Sequence, residues 1–219
     1  MLSVENANVP SLDNIVRSLR EQLDAKNQVR DATLDRSRNL IRLCANAIRA
    51  THRAEFERTQ ELLQQASTLA TEMRQAIAGY PDLYFAGYTQ DALKEFAEAN
   101  ITYAIITDRP LPTPETLEVE PPAYLKGLAE AMGELRRHSL DLIRQDRVER
   151  AEYVLSIMDE AYGLLATVDF PSAITGDLRR STDMVRGVLE RTRADLTTAQ
   201  EQMRLREALR QFEERLHGT

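Results

Sequence analysis

The 219-residue chain has one cysteine and no tryptophan. A single thiol, Cys44, cannot close an internal disulfide, build a multi-thiolate metal site or form a CxxC redox pair. Its expected place is a small buried apolar position. Glycine and proline number eight each, well below the usual ~12 % combined share, so few turns are specified. Aromatic residues are 5 % of the chain and β-branched runs are missing, which argues against a β-sandwich or barrel. No window approaches the ~18 continuous apolar residues of a membrane span. The opening MLSVENANVPSLDN lacks the basic-then-apolar pattern of a secretory signal, so a cytoplasmic location and no membrane partner are expected. Lysine is scarce too: Lys26, Lys94 and Lys126 stand against 25 arginines.

What remains is helix. Hydrophobic residues make up 42 % and charged residues 29 %, an ordinary globular balance. Helical spacing predicts segments at 11–27, with Ser11 as N-cap, and at about 29–51, 54–78 and 89–107. Pro110, Pro112, Pro114, Pro121 and Pro122 then mark residues 108–122 as an extended interhelical loop. Helices follow at 123–145, 147–167 and about 175–216. The last of these would be ~60 Å long at ~1.5 Å per residue, so part of it should project or meet another subunit. The expectation is one all-α domain over residues 1–219, with a C-terminal helical extension from about 200.

Two constellations carry chemistry. Residues 36–54, RSRNLIRLCANAIRATHRA, hold five arginines and His52 without an acid. At ~100° per residue, Arg38, Arg42, Arg49 and Arg53 fall on one face together with Asn46. Leu40, Ile41, Leu43, Cys44, Ala47 and Ile48 fall on the other side. Such an unmixed cationic stripe suits phosphate contact through charge and forked hydrogen bonds; a subunit interface with acidic residues fits it as well.

The second constellation is acidic. Glu95 and Glu98 share one helix surface at i,i+3, and Glu130 and Glu134 share another at i,i+4. Neither pair has a Lys or Arg between its members. Gly127, Ala131 and Gly133 keep the second helix thin, so another chain or a ligand could come close. Two carboxylate pairs on facing helices suit Mg²⁺ or Mn²⁺, which take oxygen ligands and activate water for phosphodiester cleavage. Glutamates on a solvated face satisfy the same spacing. No P-loop, GxSxG or GxGxxG is present, nor are the two Glu-x-x-His motifs of the di-iron type.

At these residues the sequence resembles the translin family. The resemblance lies in YLKGLAEAMGELRRHSLDLI from Tyr124 and in LKEFAEANITYAII. It continues in LDAKNQVRDATLDRSRNLIR, in GYPDLYF and more loosely in residues 147–196. It implies an all-α bundle of about six to seven helices, a hexameric or octameric hollow shell, and binding of single-stranded RNA or DNA inside it. In the factor X branch of the family it implies an Mg²⁺-dependent endoribonuclease, whose catalytic and metal-binding positions match Glu95, Glu98, Glu130 and Glu134. Glu130 departs from that branch, which has Asp there. Phe85-Ala86-Gly87-Tyr88-Thr89 carries no basic residue where translin has a basic, His-containing segment, so nucleic-acid contact falls to Arg38, Arg42, Asn46, Arg49 and Arg53. Beyond about Ala199 the resemblance ends. Two readings stand beside the nuclease: a non-catalytic nucleic-acid-binding oligomer, and a helical scaffold.

The net charge of −7 looks adverse to a polyanionic partner. It is local, however. Residues 82–134 hold ten acids and three bases, whereas residues 28–53 hold six Arg and two Asp. The deficit lies in the stretch that carries the proposed metal ligands.

Overall fold

A computed structural model describes residues 11–217, and the opening residues MLSVENANVP lie outside them. Every regular element among the described residues is helical. The six long helices are α1 (Leu12–His52), α2 (Phe56–Ala76), α4 (Gly87–Ile106), α6 (Pro121–Arg144), α7 (Val148–Leu165) and α9 (Leu178–His217). Three single turns join them: α3 (Pro81–Tyr84), α5 (Pro114–Leu117) and α8 (Ser172–Thr175). No described helix is long and apolar enough to cross a membrane.

The expected pair of N-terminal helices is one continuous 41-residue helix. Nothing between residues 27 and 29 breaks it, because neither Gly nor Pro stands there. Ser11 caps α1 by accepting the Asn14 amide, as its residue type predicts. The 108–122 segment also departs from the expected extended loop, since Pro114 begins one turn of helix and Pro121 begins α6. Proline is tolerated in a first turn, where its missing N–H has no intrahelical partner to lose. Thr113 caps that short turn. Arg74 of α2 holds the segment, bonding the Glu118 carboxylate at 2.6 Å, and the Tyr124 hydroxyl donates to the Pro112 carbonyl at 2.8 Å.

Chain reversals are made largely without glycine. Ala54, Asp108, Glu118, Asp146 and Asp177 adopt positive φ, and the aspartates are suited to it because their short polar side chain tolerates the left-handed region. This is how a glycine-poor chain terminates its helices.

The core runs through all the long helices. α4 lies against α1 and α6, α2 lies against α1, and α6 also contacts α7 and α9. Because neighbours surround it, α4 is buried almost all round, from Ala92 and Leu93 through Ile101 to Ile106. The closest approach is at Gly127 of α6. A Cβ there would stand 2.7 Å from the Lys94 carbonyl and 3.0 Å from the Glu98 amide of α4. Gly133 faces open space, so only Gly127 is required by the contact between these helices.

α9 divides in two. Leu178, Val185, Val188, Leu189 and Leu196 are buried, and Ala199 packs at the core's edge. Beyond them Met203, Leu209, Phe212 and Leu216 are exposed. The free end of α1 is alike, with Leu12, Ile15, Val16, Leu19 and Leu23 all exposed.

Candidate functional site

Glycine at 127 lets α4 and α6 meet, and the contact sets Glu95, Glu98 and Glu130 together. One carboxylate oxygen from each lies within 4.8 Å of the others. Glu98 is 8 % exposed. Burial first, and then the neighbouring Glu95, Glu130 and Glu134, push its carboxyl up to about 8. Three anions in one half-buried place therefore lack enough positive charge to ionise together freely.

Lys94 supplies part of that charge. Its ammonium lies 2.6 Å from Glu130 and 3.1 Å from Glu95. Spacing along α4 placed it outside the Glu95–Glu98 pair, but its side chain crosses to α6 and joins the cluster. Cys44 of α1 is fully buried. Burial and then Glu95 and Glu98 hold its thiol protonated, so it acts as a small apolar residue.

Glu134 is not one of the three clustered carboxylates. His52, at the last turn of α1, lies 2.5 Å from it through Nε2. That hydrogen bond is the main cause holding the Glu134 carboxyl below the usual carboxylate range, so Glu134 is ionised near neutral pH. The His52 side chain is 2 % exposed, and its Nδ1 has no hydrogen-bond partner. The ionised Glu134 carboxylate can only accept, so His52 Nε2 is the donor. His138, one turn along α6 from Glu134, is pushed down to about 4 by burial and then by His52 and nearby arginines. It is neutral at physiological pH.

His52 is the residue of the candidate site that sequence reasoning did not assign. The available signal was its position, three residues after Arg49 on nearly the same helical face. Its partner is 82 residues away in sequence, and no local pattern gives that distance.

The arginine stripe is where periodicity places it. Leu40, Cys44, Ala47 and Ile48 are buried, with Ile41 and Leu43 partly so, and Arg38, Arg42, Arg49 and Arg53 are exposed. Arg42 bonds Asn39 at 3.0 Å and Arg49 bonds Asn46 at 2.6 Å. Only Arg38 meets an acid along the helix, Asp35, at 3.5 Å with both side chains open to water. Such contacts contribute little and exchange readily for a phosphate. The cationic face lies on α1, and His52 at the end of the same helix reaches Glu134 of α6 beside the acidic centre.

No family model matches the chain. An uncharacterized protein of Methanocaldococcus jannaschii is 30 % identical over 191 residues, covering 86 % of this chain and 84 % of that protein. The crystal structure of AfC3PO superposes with a TM-score of 0.78 at 31 % identity, covering 84 % of this chain and 96 % of that one. AfC3PO in complex with duplex RNA gives 0.77 at 31 % identity, with the same coverage. Apo-NeC3PO gives 0.77 at 23 % identity, over 88 % of this chain and 99 % of that one, a likeness of fold alone. With this sequence similarity spread over most of its length, and with the all-helical fold shared, the chain belongs to the translin (C3PO) family.

Proposed function

We propose that this protein binds RNA and cleaves its phosphodiester backbone with the help of Mg²⁺ or Mn²⁺. The observation that carries the reading is the meeting of Glu95, Glu98 and Glu130 within 4.8 Å. An all-oxygen donor set with excess negative charge fits a hard divalent cation. Glu95, Glu98 and Glu130 would hold it, competing with the Lys94 ammonium for the same oxygens. Such an ion supplies charge neutralisation at a phosphoryl group and activation of water.

The remaining steps belong to side chains of this chain. Glu134, kept ionised by His52, is the proton acceptor beside the cluster, and His52 orients it. Arg38, Arg42, Arg49 and Arg53, with Asn46, would hold backbone phosphates along α1. RNA as the ligand is supported by AfC3PO, whose structure was solved with duplex RNA. The sequence resemblance points to single strands, of RNA or DNA, and to a hexameric or octameric shell. The exposed apolar end of α1 is consistent with self-association.

The test is a labelled RNA, single-stranded or duplex, incubated with Mg²⁺, Mn²⁺ or EDTA and scored for retention and cleavage. Cleavage that needs the metal and disappears in Glu95→Ala, with retention kept, is the expected result. Metal-independent cleavage overturns the assignment. One observation favours a second reading, a binder without catalysis: Lys94 already neutralises part of the cluster. Retention without cleavage under every metal condition would select it.

A further inference from the structure

A cavity of about 500 Å³ lies between the starts of α4 and α6, with Lys94 in its wall. The chain from α3 into α4 runs beside the start of α6 in the same direction: Tyr84 reaches Glu120 and Lys94 reaches Glu130, each pair 36 residues apart. Along this track Asp91 and Lys126 of the cavity stand one helical turn before Glu95 and Glu130 of the carboxylate cluster. Glu134 and His52 lie one turn beyond it. We propose that the cavity is the subsite for the ribonucleotide next to the bond cut at the cluster, an inference that rests on the proposed cleavage of RNA.

Lys126 calls for an anion. Of the three lysines, Lys26 pairs with Asp82 at 2.6 Å and Lys94 with Glu130 and Glu95. Lys126 is half-buried and has no ion pair or hydrogen bond among the described residues. Its ammonium lies over Gly176, 3.8 Å from where a Cβ would begin there, so the glycine leaves it room. A half-buried ammonium without a counter-charge gains most from an anion that enters the cavity.

The other lining groups ask for more than an anion. Asp91 is exposed and has no partner among the described residues, and Glu120 accepts a hydrogen bond from the Tyr84 hydroxyl at 3.0 Å. Two carboxylates disfavour a bare phosphate but accept from sugar hydroxyls, and a ribose offers one more such donor than a deoxyribose. Phe85 is exposed on the cavity and is held edge-on by Tyr84, their centroids 4.9 Å apart. Its ring suits the stacking of a base. Phosphate at Lys126, sugar at Asp91 and base at Phe85 together describe a ribonucleotide.

The spacing joins this subsite to the cluster. Lys126 and Glu130 share one face of α6 at i,i+4, with about 5–6 Å between their Cβ atoms. A phosphate on Lys126 and another at the carboxylates can therefore belong to neighbouring nucleotides of one strand.

The chain has no tryptophan, so Phe85→Trp makes the full-length protein its own fluorescent reporter. In EDTA, adenosine monophosphate should quench it saturably. Adenosine and inorganic phosphate should each bind at least about tenfold more weakly, since each lacks one half of the recognition. Deoxyadenosine monophosphate should also bind more weakly, and Asp91→Asn should erase that difference. Lys126→Gln should weaken the nucleotide by about tenfold, the loss of a charge-assisted hydrogen bond. Equilibrium dialysis with Phe85 intact repeats that comparison, and a short single-stranded RNA should displace the nucleotide. Equal affinity in Lys126→Gln, free phosphate binding as well as the nucleotide, or no displacement by RNA would each overturn the proposal. Nucleotide binding in a protein that cleaves no RNA would keep the subsite and sink the nuclease reading. Metal-dependent cleavage without nucleotide binding would do the reverse.

Discussion

His52 Nε2 lies 2.5 Å from Glu134 Oε2, joining the end of α1 to the middle of α6 across 82 residues. The bond keeps Glu134 ionised and orients it beside Glu98, whose own carboxyl it helps push upward. One glutamate is thus held as an anion while its neighbour is held as an acid. His52→Ala should lower RNA cleavage by about 10- to 100-fold, the usual effect of removing a group that orients an active carboxylate. RNA retention should stay within about twofold. Retention and cleavage measured on the same samples separate this from a loss of fold.

The raised Glu98 carboxyl makes stability depend on pH. Its folded-state value, about 8, exceeds the ordinary glutamate value of 4.5, so the folded chain holds a proton that the unfolded chain releases. That contribution is complete below about 4.5 and is lost as pH rises through about 8. The melting temperature of metal-free protein should therefore fall across this window, and Glu98→Gln should flatten the fall. Added Mn²⁺ should raise the melting temperature of the wild type most at the alkaline end. A wild-type profile no steeper than that of Glu98→Gln would remove Glu98 as the source.

Gly127 is a steric requirement of the candidate metal centre. An added Cβ would meet the Lys94 carbonyl at 2.7 Å, a backbone atom that cannot turn aside. Gly127→Ala should cost about 1–3 kcal/mol by overpacking and should spread α4 from α6. Gly133→Ala, at an open position, is the control. Chemical denaturation gives the stability difference, and Mn²⁺ titration of both variants shows whether the carboxylates have separated.

The stripe on α1 is tested by salt. RNA affinity should fall with added salt, each phosphate contact adding about 0.7 to the logarithmic slope for a single strand. Arg42→Glu and Arg49→Glu should each weaken binding and reduce that slope, without altering the metal dependence of cleavage. Salt-independent binding would assign the stripe to a protein interface.

Ala54 closes α1 at φ 57, a conformation that costs a residue with a Cβ roughly 1 kcal/mol or more. Ala54→Gly should therefore raise stability by a fraction of a kcal/mol to about 1 kcal/mol in denaturant titration. Ala54 is exposed and is not one of the proposed ligands, so activity should not change.

By itself the sequence determined the helical class, the apolar faces and the arginine stripe. Each follows from a period of 3.6 and from the scarcity of Gly, Pro and aromatic residues. The Glu95–Glu98 and Glu130–Glu134 pairs were legible for the same reason, as neighbours within one helix. It misplaced local breaks where the chemistry was ambiguous: proline at 114 and 121 reads as a helix breaker but also suits a first turn. Only tertiary structure decided which carboxylates meet. The Gly127 crossing brings Glu130 to Glu95 and Glu98, Lys94 swings into their midst, and His52 takes Glu134. Those contacts join residues tens of positions apart, and their distances are set by how closely helices pack. Periodicity says which side of a helix is buried; the depth of the crossing and the burial at Glu98 say what the buried carboxylates can do.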